Sequence, residues 1–151
     1  MELRTIIVVL VVIAAAFLIY REKTKPMKNK PEPKFVDQKL KSYLDDFLLS
    51  ASERNIPIDL SKVTIKIGKP SIEGARAESV GNDITFDESE FDTFSDSHKR
   101  YLMFHEIGHN IFGYDHSTDP QSIMAGGGIS AGGSLLISES KRIDDFFNLS
   151  K

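Results

Sequence analysis

The chain has 151 residues, so it can hold one ordinary domain once an apolar segment at its beginning is set aside. Hydrophobic residues make up 40% and charged residues 27% of the sequence, as in a globular protein, and the net charge of −3 offers no general attraction to nucleic acid. Because the chain contains no cysteine, disulfide bonds, cysteine nucleophiles and thiolate metal sites are excluded, and a transition metal would be held by His, Asp or Glu.

An apolar segment lies near the start of the chain. All residues from 6 to 20 are apolar or aromatic, which approaches the roughly 20 residues needed to cross a bilayer. We predict a short tail and a single-pass transmembrane anchor over residues 1–21, with a cleaved signal peptide and secretion as the alternative. The positive-inside rule favours a cytoplasmic domain, because basic residues are concentrated after this segment.

A linker and an α+β domain are predicted after the anchor. Residues 22–34 are rich in lysine and proline and too polar to form a core, so they are expected to act as an extended linker. The remaining residues, 35–151, are predicted to form the folded domain. Its first helix is expected over residues 37–53, where apolar side chains recur at spacings of three and four.

Strands are predicted in the middle of the domain and helices in its second half. The β-rich segment 63–67 is predicted to be a strand, and residues 75–80 and 84–86 to form a hairpin around a Gly-Asn-Asp turn. A second helix is expected to begin near Ser95 or Ser97 and to end at Gly113, where glycine can adopt the left-handed conformation. A last helix is expected over residues 138–149.

Two histidines in the second predicted helix are candidate metal ligands. His105 and His109 are four residues apart, so a helix places them side by side and both rings can reach one ion. Glu106 follows the first histidine and can accept a proton from water without occupying a coordination position. The competing interpretation is that these are half-buried polar side chains with local partners.

A zinc site in a hydrolase needs a third protein ligand, and the sequence offers more than one candidate. His116 follows three residues after Gly113, where the chain can turn back toward the metal. Asp115 is the alternative oxygen ligand, and Glu139 on the last helix is a more remote one. His98 lies two turns before His105 and is expected to be a solvated surface histidine.

The stretch from residue 105 to residue 116 reads HEIGHNIFGYDH and continues as STDPQSIM to residue 124. It resembles the metzincin motif H-E-x-x-H-x-x-G-x-x-H, followed in register from His116 by the matrixin pattern H-S-x-x-P-x-x-I-M. Residues 81–90 are similar to the strand and loop that precede the active-site helix of that family. The resemblance covers roughly residues 75–124, and small bacterial matrixin-like peptidases are its nearest match.

The chain departs from the motif at one point. Three residues rather than two separate His109 from Gly113, and one extra helical residue rotates the direction of the chain by about 100°. Either the last turn bulges or the loop compensates if His116 is to reach the metal, and Asp115 stands at the family's spacing for the third ligand. We favour His116, with Asp115 as a brace for the loop or for a ligand histidine.

The resemblance implies a zincin-like metallopeptidase domain with a small mixed sheet, an active-site helix and a C-terminal helix. It further implies one catalytic zinc held by His105, His109 and His116, with Glu106 as the general base and Met124 as a structural methionine beneath the histidines. The expected substrate is an extended protein or peptide that pairs with the strand in residues 75–80, and a monomer is expected. Membrane-tethered peptidases usually face outward, in contrast to the positive-inside rule, so the side of the membrane stays open.

Two other functions remain as alternatives. A catalytically silent, membrane-tethered module that binds zinc or a partner would need the histidines but not Glu106, and a zinc hydrolase of small molecules would need both. Calcium is an additional candidate cofactor, because Asp87, Glu88 and Glu90 could supply oxygen ligands, although acidic loops are usually solvated.

Overall fold

The structure of the chain, a computed structural model, describes residues 32–126 and 138–149. The predicted anchor at residues 1–21 and nearly all of the predicted linker at residues 22–34 lie outside the described residues. Within the part of the chain that is described, no helix is long and apolar enough to cross a membrane.

Four strands form one mixed sheet in the order β1-β2-β4-β3. Strands β1, β2 and β4 are parallel, and β3 runs antiparallel to β4. The strands are β1 (Phe35–Val36), β2 (Thr64–Gly68), β3 (Ala77–Val80) and β4 (Asp83–Asp87). The strand predicted at residues 63–67 and the predicted hairpin are therefore confirmed. Strand β1 was not predicted, because two residues are too few to show an alternating pattern.

The hairpin is joined to a helix by one amide side chain. Gly81 allows the turn between β3 and β4, since its φ of 61° lies in the left-handed region. The Asn110 Nδ2 donates to the Ser79 Oγ at 2.9 Å and to the Gly81 carbonyl oxygen at 3.0 Å. This side chain therefore holds the hairpin against the helix on which Asn110 lies.

Within the described residues, three α-helices complete the α+β fold that the sequence predicts. They are α1 (Lys41–Glu53), α2 (Asp96–Phe112) and α3 (Glu139–Asn148), and a 3₁₀ turn (Gln38–Leu40) precedes α1. Helix α2 begins after Ser95, whose side chain accepts a hydrogen bond from the His98 backbone N–H. Ser138 caps α3 in the same way, through the backbone N–H of Lys141. Hydroxyl side chains thus satisfy an otherwise unpaired N–H at the start of both helices.

The core lies on two sides of α2. Helix α2 contacts α1 and also strands β3 and β4. On the helical side, the rings of Phe47, Phe104, Phe146 and Phe147 are at most 2% exposed and pack mainly edge to face. On the sheet side, Ile65, Ile84 and Phe86 are fully buried. Packing on both sides fixes the middle of α2, which contains the histidines.

The aromatic contact between α1 and α2 predicts a large loss of stability when it is removed. Phe47 is fully buried, and its ring centroid lies 5.0 Å from that of Phe104. We expect Phe47→Ala to lower the free energy of unfolding by about 3–5 kcal/mol. The matched control is Leu49→Ala on the same helix, where the side chain is 59% exposed and a change within about 0.5 kcal/mol is expected. Urea denaturation measures both, and equal effects would contradict this account of the core.

Candidate metal centre and catalytic site

His105 and His109 lie one turn apart on α2, and their Nε2 atoms point toward the same position. The Nε2 atoms of His105 and His109 are 3.1 Å apart, and their rings meet edge to face with centroids 4.7 Å apart. His105 is buried, at 7% exposure, and His109 is half-buried. The four-residue spacing has therefore placed two nitrogen donors side by side, as helix geometry requires.

His116 joins these two rings from the segment that follows the helix. Its Nε2 lies 3.3 Å from the Nε2 of His105, and all three ligand atoms fall within 4.8 Å of one another. Within residues 32–126 and 138–149, no other set of three or more His, Asp or Glu side chains converges in this way. The group could hold a metal ion, and the side chain that completes it is His116 rather than Asp115.

The extra residue before Gly113 is accommodated by a wider last turn. In a regular α-helix the Gly113 N–H would donate to the carbonyl of His109, but here it donates to Gly108, five residues back. The Tyr114 N–H donates to the same carbonyl at 3.1 Å. Gly113 has a φ of 66°, so the chain then turns in the left-handed conformation. A bulge in the last turn is one of the two ways, stated above, in which His116 can reach the other histidines despite the extra residue.

Backbone carbonyls fix the orientation of both helical histidines. The Nδ1 of His105 lies 2.7 Å from the carbonyl oxygen of Ile123, and the Nδ1 of His109 lies 2.6 Å from that of Tyr114. A carbonyl oxygen only accepts, so each Nδ1 carries the proton and each Nε2 keeps a free lone pair. Burial lowers the pKa of His105 to about 4 and also lowers that of His109, so both rings are neutral donors at pH 7.

The donor set fits zinc. Zinc binds imidazole nitrogen at about 2.0–2.1 Å in a tetrahedral arrangement, which separates two such nitrogens by about 3.3–3.4 Å. Two of the three Nε2 separations, 3.1 Å and 3.3 Å, are close to that value, and all three ligand atoms lie within 4.8 Å of one another. Three imidazoles without a fourth protein donor are typical of a catalytic zinc site, which keeps one position for water.

Met124 supports the helix beneath the histidines. It is 1% exposed, and a Cβ placed on Gly108 would lie 2.5 Å from its Sδ. The Ser117 N–H donates to the Met124 carbonyl oxygen at 2.6 Å, and this hydrogen bond connects the segment after His116 to Met124. The side chain of Ser122 accepts from the Met124 N–H at 3.1 Å. The predicted structural role of Met124 therefore has a physical basis in close packing against α2.

Glu106 is a buried carboxyl group with an unusual proton affinity. It is 4% exposed, and burial together with the charge of Glu78 raises its pKa to about 7. Glu78 on β3 is also buried, which by itself raises its pKa, but hydrogen bonds from Ser71 and Ile72 and the charge of Lys66 outweigh that effect and lower the pKa. One carboxylate thus stays charged beside another that binds its proton near neutral pH. Nothing in the sequence around Glu78 marks it as part of the site.

The other predicted ligands do not join the histidine group. Asp115 is exposed and makes no hydrogen bond within the described residues, so the predicted brace is not seen, although its charge raises the pKa of His109. Glu139 pairs with Arg100 at 3.0 Å. His98 is half-buried, and its ring lies tilted against that of Phe94 with ring centroids 4.7 Å apart, so its prediction as a solvated surface residue is wrong.

The acidic loop proposed for calcium uses its carboxylates locally. Asp87 accepts hydrogen bonds from the backbone N–H and the hydroxyl of Ser89, both at 2.6 Å. Glu90 lies 3.6 Å from the Nε of Arg76, and Glu88 is exposed. These carboxylates stabilise the loop between β4 and α2 and do not converge on one point.

A cleft connects the histidine group to the edge of the sheet. A cavity of about 400 Å³ is bordered by His105 and His116 on one side and by residues 74–77, which lead into β3, on the other. Strand β3 pairs with β4 through one edge, and within the described residues no strand pairs with its other edge. The potential metal site and the segment that leads into this edge strand therefore border the same cleft.

Comparison with protein-family models, with curated proteins and with solved structures gives no match to this chain. The arguments for a function therefore rest on the residues and their geometry.

The contact between Gly108 and Met124 predicts a coupled effect on stability. Overpacking costs about 1–3 kcal/mol, more than the roughly 1 kcal/mol that alanine gains over glycine in a helix, so Gly108→Ala should be destabilising. In a Met124→Ala background, space is available and the same substitution should cost less or become stabilising. Urea denaturation in the presence of a chelator measures this double-mutant cycle. If Gly108→Ala changes the free energy of unfolding equally in both backgrounds, the contact with Met124 does not determine the cost of the substitution.

The position of His116 predicts which substitution removes metal binding. We expect His116→Ala to weaken zinc affinity by more than the roughly 10- to 100-fold that loss of an outer hydrogen-bonding partner costs. Asp115→Ala, at the neighbouring exposed position, should change it by a few-fold at most. Competition with a chromophoric chelator measures both affinities. The reverse order would mean that the oxygen ligand, and not the imidazole, completes the site.

Proposed function

We propose that this chain is a zinc-dependent endopeptidase of the metzincin type, with His105, His109 and His116 as the zinc ligands and Glu106 as the general base. The main support is the convergence of three imidazole nitrogens, together with a buried carboxyl group with a pKa of about 7 at the helix position after His105. The order of these residues in the chain, the supporting Met124 and the α+β fold are those that the metzincin resemblance implies.

The choice of metal follows from the donors. The chain contains no cysteine, and three imidazoles suit zinc better than calcium or magnesium, which prefer oxygen ligands. The hydrogen bonds to the carbonyls of Ile123 and Tyr114 orient two of the rings before any metal is bound. Such outer partners raise the basicity of the ligands and reduce the reorganisation on binding.

Glu106 is assigned the proton transfers. Zinc, when bound, supplies a Lewis acid that activates water and polarises the scissile carbonyl. Glu106 accepts the proton of the attacking water and then delivers it to the leaving amine, which a carboxyl group with a pKa near neutrality can do in both directions. Its burial keeps bulk water away and strengthens its interactions with charge that develops nearby.

The unpaired edge of β3 is the proposed position of the substrate. A peptide in extended conformation can add to a free strand edge through backbone hydrogen bonds, largely independently of its side chains. Because the cleft joins this edge to His105 and His116, a bound peptide would pass close to the metal ligands. This arrangement favours protein and peptide substrates over small molecules. We also retain the anchor at residues 1–21 as part of the proposal, which would tether the enzyme to a membrane.

Glutamine at position 106 provides the direct test. We expect the full-length Glu106→Gln protein to bind one zinc per chain, as the wild type does, and to lose about 10²- to 10⁴-fold in kcat/KM. The control is Glu53→Gln at the exposed end of α1, which should leave both properties unchanged. Zinc content is measured by atomic emission and cleavage with a library of internally quenched peptides. Stoichiometric zinc with no cleavage of any peptide by the wild type would instead support the silent zinc-binding module.

A further inference from the structure

A second cavity, of about 170 Å³, lies beside the metal site, and we call it the Arg142 cavity. It lies between the first turns of α2 and α3, and its lining includes His98, Tyr101, Ile123 and Arg142. It shares His98 and Tyr101 with the cleft that contains the metal ligands. The Tyr101 ring is 5.7 Å from the ring of His105, and Ile123 supplies the carbonyl that orients the same histidine. The cavity is therefore directly next to the proposed reaction centre.

Arg142 is a buried cation without a partner for its Nε. Its side chain is 6% exposed, and the Nε is shielded from solvent and has no hydrogen-bond partner. Among the described residues, no carboxylate forms an ion pair with it, because Glu139 and Asp46 both pair with Arg100. The segment 127–137, which lies outside the described residues, contains no Asp or Glu. Arginine stays protonated, so its burial leaves a positive charge that a bound anion would stabilise.

Other groups around the cavity also favour an anion. His98, whose Nε2 is buried without a hydrogen-bond partner, is one of the residues that line the same space. The cavity includes Ser95 and Ser97 at the start of α2, a helix of 17 residues whose positive end faces this region. Glu139 is the acidic residue in the lining, and its charge is offset by Arg100 at 3.0 Å. The two carboxylates nearby, Glu139 and Asp46, are thus both engaged by Arg100, which leaves the charge of Arg142 without a carboxylate partner among the described residues.

We propose that the Arg142 cavity binds the carboxylate of an acidic substrate side chain next to the scissile bond, so that the enzyme prefers Glu or Asp at that position. The guanidinium group offers paired N–H donors that match the two oxygens of a carboxylate. The remaining lining is largely apolar, with Phe104, Ile123 and Ile143, which suits the methylene groups of glutamate. The preference for an acidic residue beside the scissile bond rests on the proposed peptidase function, whereas the binding of a carboxylate at Arg142 does not.

The first experiment measures substrate preference within each protein variant. Matched quenched peptides differ only by Glu or Gln at each position around the cleaved bond, and the ratio of kcat/KM is compared between the pairs. We expect the wild type to favour Glu at one position by roughly tenfold or more, and Arg142→Gln to bring that ratio close to one. The ratio is independent of the amount of active protein, so partial misfolding of the variant does not affect it.

Two matched variants complete this experiment. Arg142→Lys keeps the charge but not the paired donors, so it should retain a reduced preference for Glu. Arg54→Gln removes an arginine that contacts α3 through Asp144 and does not line the cavity, so it should keep the wild-type ratio. Cleavage without any preference for an acidic residue, or a preference that survives Arg142→Gln, would overturn the proposal.

The second experiment does not depend on cleavage. N-acetyl-glutamate N-methylamide and the glutamine analogue are titrated into the zinc-loaded full-length protein and followed by NMR. We expect the glutamate compound to bind more tightly than its analogue, and this difference to disappear in Arg142→Gln. If no peptide is cleaved while this difference is observed, the peptidase function fails and the carboxylate site stands. Equal weak binding of both compounds would overturn the site.

Discussion

Two hydrogen bonds from ring nitrogens to backbone carbonyls determine how the site is built. They link His105 to Ile123 and His109 to Tyr114, so they join α2 to the two parts of the segment that follows it. The same segment positions His116 and places Met124 under the helix. The orientation of the two histidine rings therefore depends on the path of the segment after α2, and that path is held in turn by the same two hydrogen bonds. Because a bound metal would stabilise both, metal affinity and the stability of this segment should be thermodynamically linked.

The charge of Glu78 on β3 acts on the carboxyl group of Glu106 on α2. Glu78 keeps its charge because Ser71 and Ile72 donate hydrogen bonds to it, while burial and that same charge raise the pKa of Glu106. Pairs of carboxyl groups with divergent proton affinities are a common basis for dividing acid and base roles. Strand β3 contains Glu78 and also presents the free edge beside the cleft, so one strand influences both the proposed base and the proposed substrate position.

The parts of the site that could be predicted are those that depend on local geometry. A four-residue spacing places His105 beside His109 in any α-helix, and a glycine after the last apolar residue predicts the end at Gly113. The hairpin and the helix ends follow from turn and capping residues in the same way. The widened last turn could be stated only as a requirement, because the choice between it and a different loop depends on packing. The burial of Glu78 and of Arg142 could not be predicted, because distant segments of the chain decide whether a single charged side chain is buried.

The amide of Asn110 has a consequence for how a peptide would be received. It binds the end of β3 and the turn after it, and it lies one residue after His109 on α2. These hydrogen bonds connect the edge strand to the helix that contains His105 and His109. In the proposed peptidase, the offset between a peptide paired with β3 and the three histidines would be set when the protein folds rather than when the substrate arrives. Such preorganisation removes an alignment step from binding and confines productive contact to a narrow range of registers along the peptide.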